Sequence, residues 1–490
     1  MSFIALVTSC LIGQAPPSLS EPAGMREAWA DLKRLPEAER PYHRYLIRPT
    51  SWTDKDWGYF RPVLIGQLNH LSRQSIFYSV TTAGKNALRV NTFKYGYTDV
   101  WDKLVDPYLT ANFVERVKVW PGGVYPADGK NYPPGAFRER WKEVGTYPAV
   151  ILMDGEEDEK KLNEILYWTG SNAALVRADW FFNQTVAAEN RKVGYPEFLR
   201  FKNLKEYEEL IGFDKKKAEG FRYEIRDAVA VSGVTLRPRA IARYDALGGG
   251  YWKSIDFVNP VGEKHPLRLP GREVEVIGEA FETYGVLPNG LPGCGAFNAK
   301  GELQRAVPGN IARDSESKSN DPQVHLTVSC IRCHTDGALK DLNTFFRKTL
   351  KRPLKGFVYD PDYRKQLQLQ EELEQQYFQN IKKALTNDRA AYEAAILECT
   401  GLSYKEYSKR VAELWSRYED ATVNTAYAAA EFGLKEEEFR ERLLKVINSG
   451  YLVPVDIGSL TQKGDDAVAL GIREWEEIHG QVWYLIRSVK

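Results

Sequence analysis

The feature that most constrains this chain is the segment Cys330–His334, which reads Cys-Ile-Arg-Cys-His and has the spacing C-x-x-C-H. This spacing is the attachment signature of a c-type haem, because two thiols can add to the porphyrin vinyl groups and the histidine can bind the iron. With five cysteines and six histidines in 490 residues, chance gives on the order of 10⁻³ such matches. We predict one covalent haem c, held by Cys330 and Cys333, with His334 as its proximal iron ligand.

Two other kinds of site also use a C-x-x-C pair, and both stay open at this point. A structural zinc site usually adds a second close pair of Cys or His ligands, whereas Cys10, Cys294 and Cys399 are isolated in the sequence. A dithiol redox motif should open a helix after a strand, and residues 324–328 have the composition of a short strand. Cys294 and Cys399 either pair in an oxidising compartment or sit as two buried thiols, and we favour unpaired thiols.

The segment Cys330–His334 resembles the cytochromes c, but only over these residues. In the common small cytochromes c, a methionine downstream of the motif supplies the second axial ligand, whereas all three methionines of this chain precede it. A strong sixth ligand would indicate electron transfer, and an open site would indicate gas binding or peroxide chemistry. The alternatives for the sixth position are no protein ligand, another donor, or one of three side chains: His70, His325 and Met153.

A wider resemblance covers most of the chain, from about residue 40 to 460. The chain resembles a group of uncharacterised exported bacterial proteins that contain a cytochrome c-like domain. Besides the haem motif, the resembling segments are RYL at 44–46, LNHLSR at 68–73, LVRADWF at 175–181, SGV at 232–234, YWKS at 251–254, LPNGL at 287–291 and AAAEFGL at 428–434. This resemblance implies a haem protein and assigns no reaction to it.

The N-terminal residues indicate export. Residues 3–7 are apolar, the segment ending at Cys10 resembles the lipobox of bacterial lipoproteins, and a Pro/Ser/Ala stretch follows. The apolar run is short and no Lys or Arg precedes it, which departs from an ordinary signal peptide. Because bacteria attach haem to C-x-x-C-H outside the cytoplasm, we expect a periplasmic protein or a lipoprotein with a lipid anchor at Cys10. No run approaches 18 apolar residues, so no membrane span is predicted.

The charges nearly cancel, with 67 basic and 66 acidic residues. No basic face is implied, so we expect no nucleic-acid partner. Without a Ser/His/Asp arrangement, an H-E-x-x-H motif or a P-loop, no competing chemistry is indicated. We favour an electron-transfer protein that docks to a redox partner protein over an enzyme. The alternatives are a peroxidase-like oxidoreductase, although the bacterial two-haem peroxidases need a second motif, and a haem-based sensor with an open sixth site.

The hydrophobic pattern predicts an α+β fold. We divide the chain into an export signal or tether at 1–24, a mixed α/β region at 25–220, a β unit of short strands with the haem motif at 221–345, and a helical region at 346–490. His43 is expected at the surface. In the mixed region the predicted elements are helices at 25–35, 54–73 and 173–187, strands at 43–47 and 147–153, and a hairpin joining 75–82 to 88–93.

In the helical region the pattern predicts two separate helices at 363–386 and 388–398, divided at Asn387. The further helices are expected at 403–418, 421–432, 435–447 and within 465–488. His479, near the end of the last helix, fits the preference for a cation at a helix C-terminus.

Overall fold

The fold is α+β, with helices and mostly antiparallel sheets. The structure is a computed structural model that describes residues 20–104, 156–171, 173–186, 193–216, 225–229, 239–257, 279–307, 313, 323–334, 337–340, 379–432, 434–448, 455–461, 469–472, 474–476, 478, 479, 482 and 486. The predictions for Cys10, for Met153 and for a strand at 147–153 lie outside these residues. Within the described part of the chain, no helix combines the length and apolarity needed to cross a bilayer.

The N-terminal region contains a four-stranded sheet in the order β2-β3-β1-β4. Its strands are β1 at His43–Ile47, β2 at Thr81–Thr82, β3 at Ala87–Asn91 and β4 at Leu175–Arg177. β1 lies in the middle, antiparallel to β3 and parallel to β4, and every residue of β1 is buried. The strand predicted at 43–47 is therefore confirmed, and His43 is buried rather than exposed. The hairpin predicted from 75–82 and 88–93 is present in a shorter form, because only Thr81–Thr82 and Ala87–Asn91 are strands and Thr92 begins a helix.

The helix predicted at 173–187 is wrong at its start. Residues Leu175–Arg177 form β4, with Leu175 opposite Tyr45 in β1, and the helix begins only at Ala178. Pairing with a buried strand far away in the sequence outweighs a local pattern that suits either structure. The helices of this region are α1 at Ser20–Arg34, α2 at Asp54–His70, α3 at Thr92–Tyr95, α4 at Glu156–Thr169, α5 at Ala178–Val186, α6 at Tyr195–Leu199 and α7 at Leu204–Leu210.

A five-stranded antiparallel meander follows, with its strands in sequence order. The strands are β5 at Ile225–Val229, β6 at Arg239–Ala246, β7 at Gly249–Asp256, β8 at Ala280–Val286 and β9 at Pro292–Asn298. The turn predicted at Gly248–Gly250 is present, although Gly249 and Gly250 already belong to β7. Because side chains alternate along a strand, residues directly opposite each other in neighbouring strands share a face. One face thus carries Tyr284 of β8 and Cys294 of β9.

The predicted haem motif follows a short antiparallel pair, β10 at Ala306–Val307 and β11 at Val324–His325. It forms the one-and-a-half-turn helix α8 at Val328–Cys333. Cys330 and Ile331 are half-buried against the main hydrophobic core. That core contains side chains from α2, from the meander and from the C-terminal helices, so the motif lies where these three parts meet.

The C-terminal helices are α9 at Gln379–Thr400, α10 at Tyr404–Glu419, α11 at Thr425–Glu431 and α12 at Glu436–Asn448. The division predicted at Asn387 is wrong, because α9 runs through it without a break. An Asp in a helix often bonds to nearby backbone and weakens it. Here the Asp388 carboxylate instead accepts hydrogen bonds from Arg243 and Trp252 of the meander.

A buried ionic network joins the N-terminal sheet to the C-terminal helices. Arg177 of β4 donates to the Asp179 carboxylate at 2.8 Å and to the Glu431 carboxylate at 2.5 Å. His479 lies 3.6 Å from Glu431, and its side chain is 2 % exposed. Burial lowers the pKa of His479 well below its usual value, so the ring is neutral near pH 7. The cationic helix-end role predicted for His479 is therefore wrong.

Candidate functional site

The helix α8 begins at a strained residue. Thr327 precedes it with φ 72° and ψ −62°, a region that a β-branched residue rarely occupies and that costs on the order of 1–3 kcal/mol. The Thr327 hydroxyl is buried and donates a hydrogen bond to the Val186 carbonyl at the end of α5. The helix then closes with the His334 N–H donating to the Cys330 carbonyl at 3.0 Å. Tertiary contacts, rather than local preference, therefore set the direction of the motif helix.

The His334 ring is held in one tautomer. Its Nδ1 lies 3.1 Å from the Ala338 carbonyl oxygen, and a carbonyl can only accept a hydrogen bond. The proton is therefore on Nδ1, and the lone pair is on Nε2. Loss of hydration, and then the charge of Lys340, lower the pKa of His334 to about 4, so the ring is neutral at pH 7. A neutral imidazole whose other nitrogen donates to a carbonyl is the form that binds metals.

One aromatic ring of the meander packs on this histidine and is itself contacted by tyrosines of the C-terminal helices. Tyr284 of β8 stacks parallel to the His334 ring, with centroids 5.9 Å apart and an angle of 10° between the planes. Tyr392 of α9 meets the edge of Tyr284 at 5.2 Å, and the Tyr284 and Tyr404 hydroxyls are hydrogen-bonded. Burial raises the pKa of Tyr284 well above its usual value, so this ring stays neutral. The side of His334 that faces Tyr284 is therefore aromatic and carries no charge of its own.

A third thiol contacts the motif. Cys294 of β9 is buried, and its thiol lies close to the thiol of Cys330. This contact, together with burial, raises the pKa of Cys294 well above its usual value. Cys399 lies on α9 as another free thiol, and burial raises its pKa to about 12. Both are unpaired, as favoured from the sequence. No local sequence pattern predicts that Cys294 lies near Cys330.

A buried ionic cluster lies on the same face of the meander as Tyr284. Arg239 of β6 contacts the Asp256 carboxylate at 2.9 Å and the Glu282 carboxylate at 3.0 Å. Among the described residues, Nη2 of Arg239 and Oε1 of Glu282 have no hydrogen-bond partner. Burial raises the pKa of Asp256 to about 7. Glu282 is also close enough to His334 to act on its pKa.

The loop after the motif packs against α9. The Ala338 N–H donates to the Glu393 carboxylate at 3.4 Å, and the same loop supplies the carbonyl that orients His334. Gly337 lies against Glu393 and Arg389, since an added β-carbon there would be 3.5 Å and 3.6 Å from their side-chain atoms. The position of α9 therefore affects the orientation of the imidazole.

Of the three candidates for the sixth position, His70 lies next to the strand that carries Cys294. Its Nε2 is 2.5 Å from the Pro292 carbonyl, and its ring packs on Tyr195 at 5.0 Å. The Tyr195 hydroxyl accepts a hydrogen bond from the Cys294 backbone N–H. Burial lowers the pKa of His70 to about 4. With Nε2 donating to a carbonyl, only Nδ1 of His70 has a lone pair available for a metal.

His325 lies on β11, its ring is half-buried, and its backbone N–H donates to the Ser329 hydroxyl at 3.0 Å. Met153 lies outside the described residues. The described part of the chain also contains no group of three or more His, Cys, Asp or Glu side chains arranged to hold a metal ion.

Comparisons with known proteins give no relative. No protein-family model, no curated protein and no solved structure matches the chain.

Proposed function

We propose that this chain is a c-type haem protein with one haem bonded to Cys330 and Cys333 and with His334 as the proximal iron ligand. The observation that carries the proposal is the hydrogen bond between Nδ1 of His334 and the Ala338 carbonyl. It leaves a neutral Nε2 lone pair for a metal, directly after two cysteines at haem spacing. When bound, the haem supplies an iron that accepts and releases one electron.

The surrounding residues fit such a group. The Tyr284 ring stacks on His334 and limits how the imidazole can turn. Haem carries two anionic propionates, which need cationic or donor groups when they are buried. The unsatisfied Nη2 of Arg239 lies in the ionic cluster beside Glu282, on the same sheet face. The residues present therefore offer an orienting carbonyl, a parallel ring and a buried cation with an unused donor.

For the role of the haem, we propose electron transfer through docking to a redox partner protein, in an exported protein that is periplasmic or anchored as a lipoprotein at Cys10. The support is the motif itself, because bacterial haem attachment at C-x-x-C-H is extracytoplasmic, and the resemblance to exported proteins with a cytochrome c-like domain. Catalysis of the peroxidase type or haem-based sensing becomes the better account if the sixth position is open to external ligands.

The test is export of the chain in a bacterium that expresses a c-type maturation system. We expect haem that stays bound under denaturing conditions in the wild type and in Cys399→Ala, the matched control because Cys399 is also a partly buried free thiol. We expect no covalent haem in Cys330→Ala/Cys333→Ala. Covalent haem in the double variant would contradict the assignment, as would its absence from a folded wild type.

The absorption spectrum of the haem-loaded protein separates electron transfer from the alternatives. A low-spin spectrum that carbon monoxide does not change supports electron transfer, and a high-spin form that binds carbon monoxide contradicts it. His70→Ala tests the sixth position, with His325→Ala as a comparison. If His70 is the ligand, only the His70 variant becomes high-spin.

A thiol-redox function is the second candidate, and one observation favours it. The thiol of Cys294 contacts that of Cys330, and the motif follows a short strand and lies in a helix. Against it, β11 belongs to a two-stranded antiparallel pair rather than to a parallel βαβ unit. Disulfide reductase activity of the haem-free chain that disappears in Cys333→Ala, together with no covalent haem in the wild type, would favour this function over the haem proposal.

A further inference from the structure

The described part of the chain brings three cysteines, from two distant segments, into one place. Cys294 lies on β9 and is 3 % exposed, whereas Cys330 and Cys333 lie on α8 and are half-buried. The thiol of Cys330 lies close enough to that of Cys294 to be the largest cause of its raised pKa. Both thiols act on the pKa values of Tyr195 and Tyr404, so the two cysteines lie near the same tyrosines.

The register of the meander explains why this contact is well defined. Cys294 lies directly opposite Tyr284 in the β8–β9 pair, so both side chains leave the same face of the sheet. On α8, Cys330 and His334 are four residues apart and share one side of the helix. Tyr284 stacks on His334 while Cys294 contacts Cys330. Two neighbouring positions of the sheet therefore meet two neighbouring positions of the helix.

The competing bridge, between Cys330 and Cys333, is less favourable in this geometry. Both residues lie inside the helical turn, and side chains three apart on a helix have β-carbons roughly 5–6 Å from each other. A disulfide needs about 3.5–4.5 Å between the β-carbons. Closing that bridge requires the two β-carbons to move closer together. Cys294 and Cys330 instead lie on separate elements, and Cys330 is the largest influence on the pKa of Cys294.

We propose that Cys294 and Cys330 form a disulfide in the haem-free chain, and that this bridge must be reduced before Cys330 can accept a haem vinyl group. The oxidant is a small-molecule or protein disulfide. The half-buried Cys330 thiolate attacks it and displaces one thiolate. The Cys294 sulfur then attacks the Cys330 sulfur of the mixed disulfide, giving up its proton as it does so, and displaces the second thiolate. One S–S bond forms, one S–S bond of the oxidant breaks, and the two thiol protons go to the two released thiolates.

The sequence provides a direct readout of which bridge forms. Trypsin cleaves after Arg332, so Cys330 falls in the peptide 319–332 and Cys333 in the peptide 333–340, while Cys294 falls in 273–300. We would oxidise the reduced haem-free chain with glutathione disulfide, block free thiols with N-ethylmaleimide, digest it without reductant and identify linked peptides by mass spectrometry. We expect 273–300 linked to 319–332 in the wild type, in Cys333→Ser and in Cys399→Ser, and not in Cys294→Ser.

A link between 319–332 and 333–340 in the wild type, or complete alkylation of Cys294, would overturn the disulfide. Because this measurement uses the folded wild type without haem, it does not depend on the proposed function or on any variant folding.

The requirement for reduction rests on the proposed function and is measured separately. We would incubate the oxidised and the reduced haem-free chain with ferrous haem and count covalent haem per chain. We expect at least tenfold less attachment to the oxidised wild type, and restoration by dithiothreitol. Equal attachment to both forms would overturn the block while leaving the disulfide in place. Attachment to neither form, with the 273–300 link present, would overturn the proposed function and the block together.

Discussion

Asp388 offers the sharpest test of how the C-terminal helices are held against the meander. Its carboxylate accepts hydrogen bonds from Nε and Nη2 of Arg243 at 2.9 Å and 3.1 Å, and from Nε1 of Trp252 at 2.8 Å. The Asp388 side chain is 9 % exposed. Arg243 also pairs with Asp245, whose side chain is 61 % exposed. One guanidinium therefore has a buried carboxylate partner and an exposed one.

We expect Asp388→Asn to lower the free energy of unfolding by about 3–5 kcal/mol, because it leaves Arg243 buried without its main counter-charge. Asp245→Asn, the matched control, should lower it by only about 0.2–1 kcal/mol, because water screens the exposed pair. Urea denaturation of both variants at pH 7 measures the difference. In the double-mutant cycle with Arg243→Met, Asp388 should couple to Arg243 more strongly than Asp245 does.

The same variant should also loosen the candidate haem site. Asp388 lies one helical turn before Tyr392 and Glu393, which contact Tyr284 and the Ala338 N–H. Asp388→Asn should therefore speed amide hydrogen exchange in residues 337–340 more than Asp245→Asn does. If the two variants unfold at the same urea concentration and leave this exchange unchanged, the buried pair does not hold α9 in place.

Three further predictions concern packing, acid stability and capping. Gly66→Ala should destabilise the fold by about 1–3 kcal/mol, because the new β-carbon would lie 2.5 Å from the Tyr407 ring. Gly58→Ala in the same helix meets nothing within 4 Å and should stabilise the fold by about 0.5–1 kcal/mol. Thermal melts of both variants measure the difference. Burial lowers the pKa of His43 from 6.5 to about 4, so stability that is present above pH 6.5 is lost as the pH falls towards 4. Between pH 7.5 and 4.5, the wild type should lose about 2–3 kcal/mol more unfolding free energy than His43→Phe does. Urea titration at the two pH values measures this, and the same pH dependence in both proteins would contradict the prediction. Thr53→Ala should cost α2 about 1 kcal/mol through loss of its capping box, as urea denaturation would show, and a variant as stable as the wild type would count against the cap.

The elements that depend only on local sequence patterns were predicted correctly. The strand at 43–47 and the hairpin after it follow from local alternation, and the C-x-x-C-H spacing needs five residues only. Prediction from the sequence failed where contacts with residues far away in the chain determine the structure. Residues 175–177 form a strand only because they pair with β1. The helix α9 continues through Asn387 because the side chain of Asp388 bonds to an arginine 145 positions earlier. Cys294 was not found because alternation predicts its face but not the register that places it against Cys330.

The proximity of Cys294 to Cys330 also limits which group can be bonded to the Cys330 sulfur at one time. At about 100° per residue, Cys330, Cys333 and His334 project within roughly 100° of one another around the helix. Cys330 and His334 point at Cys294 and Tyr284. A group bonded to both motif thiols must then use the side of the helix on which Cys330 now meets Cys294. A carbon–sulfur bond at Cys330 and a disulfide to Cys294 are mutually exclusive, so oxidation and haem attachment compete for one sulfur atom.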